Sequence, residues 1–286
     1  MWHFVSDQIS AQLNQDFICD DIRQVKGGDT HLSFKVSDGR SRFFVKVNDA
    51  EKLPQLEAEA DGLTHLLAAN VIRVPKVICT GTVSGKAFLV LEHLRLQSDS
   101  QQNWRLLGEK LAELHQHNGQ EMYGWQSDNY IGPTPQLNPW HKKWNLFFAE
   151  QRIGFLLTLL AEKRILVTPI DDIVTAVANL LAGHQPHPST LHGDLWSGNV
   201  SFSGGMPVFF DPAFYIGDRE TDLAMTELFS PFPKDFYLGY QDTWALPPEY
   251  EYRKPVYQLY HVLNHALLFG GHYIESANAI LKNLEP

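Results

Sequence analysis

The chain has 286 residues, enough for one large domain or two modest ones. Its 44% hydrophobic and 12% aromatic content supplies a proper core and excludes disorder. Lys and Arg number 23 against 33 Asp and Glu, a formal charge of −10, which argues against nucleic acid as a partner but leaves room for a small anion held by one or two placed cations.

The first residues, MWHFVSDQISAQLNQDF, lack the basic and apolar regions of a secretory signal. The longest apolar stretch, GFLLTLLA, is far too short to span a bilayer. Cys19 and Cys79, the only cysteines, make no disulfide framework and no CxxC. Two half-buried thiols in a reducing compartment follow, so a soluble cytoplasmic protein with no membrane partner is expected.

Residues 3–14 have the pattern of a short amphipathic helix. From about 23 to 47 short apolar alternations with Gly turns read as strands, clearest in FFVKV at 43–47. A helix is expected over 53–69, with Leu56, Leu63, Leu66 and Leu67 on one stripe. VPKVICTGTVSGKAFLVLEHL then reads as two strands around a Gly-containing turn. Beyond residue 95 helical spacing dominates, interrupted by NVSFSGGMPVFFDP, two apolar runs around Ser-Gly-Gly that signal a hairpin. The composition thus predicts an α+β architecture in two lobes: residues 1–95 as a small antiparallel sheet with one helix, and 96–286 as a larger, mainly helical lobe.

LHGDLWSGNV at 191–200 places an Asn five positions after an Asp. The hairpin that follows leads out along 200–202 and back along 208–210, so it returns Asp211 to the side of Asn199. Asn199 and Asp211 then offer oxygen ligands to a hard cation such as Mg²⁺, and Asp194 is left to deprotonate a hydroxyl, the division of labour of phosphoryl transfer. At roughly 5% usage per residue, a chance match to H-G-D-x4-N followed by D-P is on the order of one in ten thousand. Asp and Asn are also common turn residues, and His192 reads better as a brace of the loop than as a reacting group.

Lys46 lies on the strand face opposite Val45 and Val47, and Glu59 falls on the apolar stripe of the following helix. Each is out of place unless paired, because a buried unpaired charge costs several kcal/mol; an edge-strand Lys and a solvated Glu are the alternative. Gly27 and Gly28 in KGGDTHLSF suit a tight turn over phosphates but match no established glycine motif. Glu92, His93 and Leu94 end the small lobe, where a connector presents backbone groups to an adenine ring; a plain core strand and turn fits as well.

The order Lys46, Glu59, HGDLWSGN, DPA resembles the protein-kinase-like fold in its small-molecule branch. HGD stands where protein kinases carry H-R-D and DPA where they carry D-F-G, and no A-P-E follows. VKGGDTH, EAEADGL, the long DNYIGPTPQLNPWHKKWNLFFAEQRIG, TLHGDLWSGN and GDRETDLAM together look like the fructosamine kinase (ketosamine-3-kinase) family, over nearly the whole chain. That resemblance implies ATP and Mg²⁺ as cofactors and a small-molecule or protein-bound ketosamine, such as a ribulosamine or fructosamine, as acceptor. It implies transfer to a sugar hydroxyl, typically the 3-position, a product that falls apart spontaneously, and hence deglycation. It assigns Asp194 as base, Asn199 and Asp211 as metal ligands, Lys46 to the nucleotide phosphates with Glu59 as its anchor, and Gly28 with its neighbours to the phosphate loop. Some relatives carry a Cys in the Gly-rich loop that links two subunits on oxidation. This sequence has none between Lys26 and Phe34, so a monomer or weak dimer is expected.

On the substrate side, Trp196 lies two residues beyond Asp194, while Asp218 and Glu220 follow Asp211 closely enough to meet a substrate amine. Trp140 and Trp144, four apart, share a face if helical, either as substrate contacts or as core anchors. Asp222, near the start of an expected helix, reads as a structural cap or brace. HGD…N…D alone also admits an aminoglycoside, choline or homoserine kinase. A pseudokinase used as a binding module predicts the loss of Lys46, Asp194, Asn199 or Asp211, and all four are present.

Overall fold

The computed structural model describes residues 1–25, 31–117 and 119–284. The expected phosphate-loop residues Gly27 and Gly28 lie outside the described residues.

Helix α1 (Trp2–Leu13) precedes strands β1 (Asp21–Val25), β2 (Leu32–Ser37) and β3 (Arg42–Asp49), helix α2 (Leu53–Ala69), and strands β4 (Val77–Val83) and β5 (Lys86–Glu92). The five strands form one antiparallel sheet in the order β1-β2-β3-β5-β4. Period-two alternation sorts its faces. Val45 and Val47 of β3 with Phe88 and Val90 of β5 pack on Val5 and Ile9 of α1. Leu89 and Leu91 turn the other way, onto Leu56, Leu63 and Leu66 of α2. Burying each such Leu contributes about 1.5–3 kcal/mol. Leu67, expected on the same stripe, is 40% exposed, and Asn70 in the left-handed region ends the helix three residues later.

The remainder is mainly helical: α3 (Gln101–Gln116), the ribbon β6 (Asn129–Ile131) and β7 (Thr134–Gln136), α4 (Trp144–Phe147), α5 (Phe155–Glu162) and α6 (Ile170–Leu180). Residues 148–154 join α4 to α5 as a π-helical segment, the irregularity within the long apolar run. Strands β8 (Pro188–Leu191), β9 (Val200–Ser203), β10 (Met206–Phe209) and β11 (Tyr215–Asp218) follow, then α7 (Arg219–Leu228), α8 (Lys234–Thr243), α9 (Tyr250–Phe269) and α10 (His272–Lys282). Leu259, Leu263 and Ala266 of α9 sit in a large core with Phe147, Leu156, Leu160 and Leu191.

Trp140 and Trp144 do not share a helical face, because the helix starts at Trp144. Trp144 is buried and donates from Nε1 to the Tyr257 hydroxyl at 3.0 Å, a core anchor, whereas Trp140 is 37% exposed beside Trp125. No described helix is long and apolar enough to cross a membrane.

Candidate active site

Two antiparallel ribbons position the chemistry. β8 pairs with β11 and β9 with β10. The loop 192–199 runs from β8 to β9, and the segment 210–214 runs back from β10 to β11. Both connections therefore lie at the same end of the paired ribbons. They are sewn together by Phe210 N–H on Asn199 O at 3.0 Å and Ala213 N–H on His192 O at 2.9 Å. Gly204 and Gly205, both at positive φ, make the tight turn at the far end of the hairpin. Asp194, Asn199 and Asp211 thus line one cleft, as the spacing predicts.

The approach of the two segments depends on Gly193. Its φ is +85°, and a Cβ there would stand 1.9 Å from Ala213 O. Asp211 itself is in the left-handed region at φ +50°, which Asp tolerates better than most side chains. A costly backbone of this kind persists only when its surroundings hold it.

His192 is buried and neutral: burial holds its pKa below the usual histidine value. Its Nδ1 accepts from Asp194 N–H at 3.2 Å, so Nε2 carries the proton and donates to Phe210 O at 2.8 Å. The ring braces the loop, as the sequence suggests. Asp222 does the larger part of the bracing. Its two oxygens accept from the backbone N–H of His192 and Gly193, both at 2.8 Å, and from His115 Nε2 at 3.1 Å. The cap of α7 belongs instead to Asp218, which accepts from Glu220 N–H.

Asp194 is pushed up to about 7, first by burial and then by the negative charges of Asp211 and Asp222, against the Asn199 hydrogen bond. A carboxylate poised near neutrality suits general-base work. Asn199 Nδ2 donates to Asp194 O at 2.9 Å and lies 3.3 Å from its Oδ2. The amide nitrogen is thereby committed to Asp194, leaving the oxygen end for a hard cation beside the Asp211 carboxylate. This donor set fits Mg²⁺, which prefers a few oxygen ligands and keeps several waters.

Lys46 is 3% exposed, with Nζ 2.7 Å from Glu59 Oε1 and 2.5 Å from Asp211 Oδ1. The pair with Glu59 is the one its place on the α2 stripe demands; the bond to Asp211 is an addition that linear spacing does not reveal. Burial opposes the Lys46 charge, but Asp211 and Glu59 outweigh it and hold the ammonium above the usual lysine range.

Two clefts meet at Lys46, Glu59 and Asp211. The larger, about 670 Å³, runs under the sheet and is lined by Phe44, Leu91, Val200 and Phe210, and by Glu92, His93 and Leu94, where the connector is expected. Such a volume and apolar lining suit a nucleotide. The Ser33 hydroxyl, buried without a hydrogen-bond partner, also faces it, a residue that an alternating strand pattern gives no reason to single out. The smaller cleft, about 240 Å³, holds Asp194, Asn199 and Trp196 with Tyr130 and Pro133 of the β6–β7 ribbon and Asn264, His265, Leu268 and Phe269 of α9. The Trp196 ring lies over Gly198, where a Cβ would stand 2.2 Å from it, and is 43% exposed.

Asp218 and Glu220 require correction as substrate contacts. Both are 1% exposed. Asp218 Oδ2 accepts from the Tyr257 hydroxyl at 2.6 Å and lies 2.7 Å from His184 Nε2. Glu220 takes a two-point contact from Arg253 at 2.6 and 2.7 Å. Proximity in sequence to Asp211 misleads because β11 carries the chain away into the core. The contribution of α9 to the smaller cleft is the feature that sequence reading misses: Asn264 is distant in sequence and sits in an ordinary amphipathic helix.

Comparison with known proteins agrees with this geometry. The fructosamine kinase family model matches residues 1–285. A probable ketoamine kinase of Vibrio parahaemolyticus is 46% identical over 285 residues, covering 99% of each chain. The crystal structure of a candidate fructosamine-3-kinase from Haemophilus somnus superposes with a TM-score of 0.94 at 34% identity, over 99% of this chain and 97% of that one. An aminoglycoside phosphotransferase solved with streptomycin and ATP shares the fold, with a TM-score of 0.64 at 14% identity over 100% and 97% of the chains. A bilobal protein-kinase-like fold, a nucleotide-sized cleft that shares Lys46, Glu59 and Asp211 with the cleft holding Asp194, and a family match along the whole length converge: the chain belongs to the fructosamine kinase family, enzymes that transfer phosphate to a hydroxyl group.

Proposed function

We propose that this enzyme transfers the γ-phosphoryl group of ATP to a sugar hydroxyl, the 3-OH, of a ketosamine such as a ribulosamine or fructosamine, and so initiates deglycation. Asp194 takes the proton from the acceptor hydroxyl as its oxygen bonds to the γ-phosphorus, and the bond to the bridging oxygen breaks to release ADP. Asn199 and Asp211 would hold Mg²⁺, which would neutralise charge on the phosphate oxygens. Lys46, steadied by Glu59, binds the phosphates, and Glu92, His93 and Leu94 border the base.

The observation that carries the acceptor assignment is the make-up of the smaller cleft. Among the described residues its only carboxylates are Glu59, Asp194 and Asp211, each already committed to Lys46, the metal or the proton. A polycationic aminoglycoside needs further carboxylates. At about 240 Å³ against about 670 Å³ for the nucleotide cleft, the acceptor cleft is the tighter of the two, which suits a compact acceptor. Aromatic faces at Trp196, Tyr130 and Phe269 with amides between them suit a sugar carrying an apolar flank.

ADP release tests this reading directly. Ribulosamine and fructosamine derivatives of lysine, free and on a folded protein, are expected to be phosphorylated, with kanamycin, choline and homoserine inert. Turnover of any of those three above the ketosamines overturns it. Trp196→Ala is expected to raise the acceptor KM about tenfold, the worth of one aromatic contact, with the ATP KM unchanged. An unaltered acceptor KM removes Trp196 from the substrate.

A further inference from the structure

Two buried polar atoms without a hydrogen-bond partner lie at the acceptor cleft or just behind it. Asn264 is 3% exposed and lines the cleft with Asp194, yet its Oδ1 has no hydrogen-bond partner. His261, one helical turn earlier on α9, is also 3% exposed, and its Nδ1 is likewise unbonded. That nitrogen stands 4.0 Å from Asp194 Oδ1, too far for a hydrogen bond but close enough for both to reach one hydroxyl. Residues three apart on a helix share a face, so Asn264 and His261 present their unmet valences together, beside the proposed base.

A buried polar group left unbonded is destabilising, and native proteins satisfy nearly all of them. A ligand that supplies the missing partner at this point is the economical reading. The Asn264 side chain is among those that line the cleft, where a ligand can meet it.

We infer that Asn264 is a specificity-determining residue that reads a second sugar hydroxyl, the neighbour of the one placed on Asp194, with His261 buried beside Asp194 behind the cleft lining. The enzyme therefore selects vicinal diols over mono-alcohols. The inference rests on the ketosamine reading above and adds to it which part of the sugar is recognised and by which side chain. The acceptor hydroxyl donates to Asp194; its neighbour donates to Asn264 Oδ1. A simple amino alcohol, with one hydroxyl, leaves the amide oxygen unbonded in the complex and loses that much binding.

The test compares a ketosamine with its 4-deoxy analogue, which lacks the hydroxyl next to the 3-position, on the parent enzyme and on Asn264→Leu and Asn264→Asp. The parent is expected to lose about 10- to 100-fold in kcat/KM with the analogue, the range for one hydrogen bond whose buried partner is left unmet. Asn264→Leu, of similar size without the oxygen, is expected to lose a similar factor on the full ketosamine and nothing more on the analogue. Asn264→Asp, which keeps an acceptor oxygen, restores most of the loss. Thermal unfolding supplies a readout of opposite sign to a structural role: replacing an unsatisfied amide by Leu leaves the midpoint unchanged or higher. A full deoxy penalty persisting in Asn264→Leu, a kcat/KM equal to the parent's, or a lowered midpoint with weakened ATP binding each overturns the inference while the ketosamine assignment stands. A parent enzyme inactive on every ketosamine overturns both.

Discussion

Asp194→Asn is expected to lower kcat by about 10²–10⁴, the usual contribution of a general base, while binding of a non-hydrolysable ATP analogue is unchanged. The asymmetry follows from position. Asp194 lines the acceptor cleft and is not among the residues of the nucleotide cleft. Asn is the same size, and the loop stays in place because its braces are His192 and Asp222, neither of which bonds the Asp194 carboxyl. What is lost is the acceptor of the proton. Turnover at the parent rate, or loss of nucleotide binding in a folded variant, contradicts the role. Asp211→Asn provides the contrast: Asp211 touches both clefts and the Lys46 ammonium, so nucleotide binding and turnover are expected to fall together.

The legibility of this chain was uneven for physical reasons. The Lys46–Glu59 pair was readable because a charge on an apolar stripe is an anomaly that needs a partner, and a strand and helix close in sequence supply one. The meeting of Asn199 and Asp211 was readable because a two-glycine hairpin is a local device whose ends must meet. The β8–β11 ribbon was not: four-residue strands separated by more than twenty residues carry no local signal, yet this pairing is what carries Asp218 and Glu220 into the core. The acceptor wall was hidden for a similar reason. Asn264 belongs to a helix whose apolar spacing describes the core face and says nothing about what the other face meets. Lys46, Asp194, Asn199 and Asp211 sit in short motifs, whereas the side chains proposed to meet the acceptor come largely from elements brought together by tertiary packing.

Asp222→Ala is the substitution with the largest expected cost to stability, roughly 3–5 kcal/mol, the range for breaking a buried charged network from one side. The Asp222 carboxylate is 1% exposed and is held below the usual range: burial works against its charge, but His115, His192 and the Gly193 N–H favour it more. Removal leaves three donors, the N–H groups of His192 and Gly193 and the His115 ring, buried without an acceptor at about 1–3 kcal/mol each. At roughly 2–4 °C per kcal/mol for chains approaching this length, the thermal midpoint is expected to fall by about 10 °C. Activity should fall further than stability accounts for. The two backbone N–H groups that Asp222 holds are those of the residues immediately before Asp194, so their release lets the base drift, and a displacement of about 1 Å can cost about 100-fold in rate. Assays at a temperature where the variant remains folded separate the effects. Asp222→Asn retains one acceptor oxygen and turns an N–H donor toward other donors, so it should fall between parent and Ala in both midpoint and kcat. A variant whose midpoint drops while its kcat on the folded fraction is unchanged would show that Asp222 holds the core together without aiming the catalytic loop.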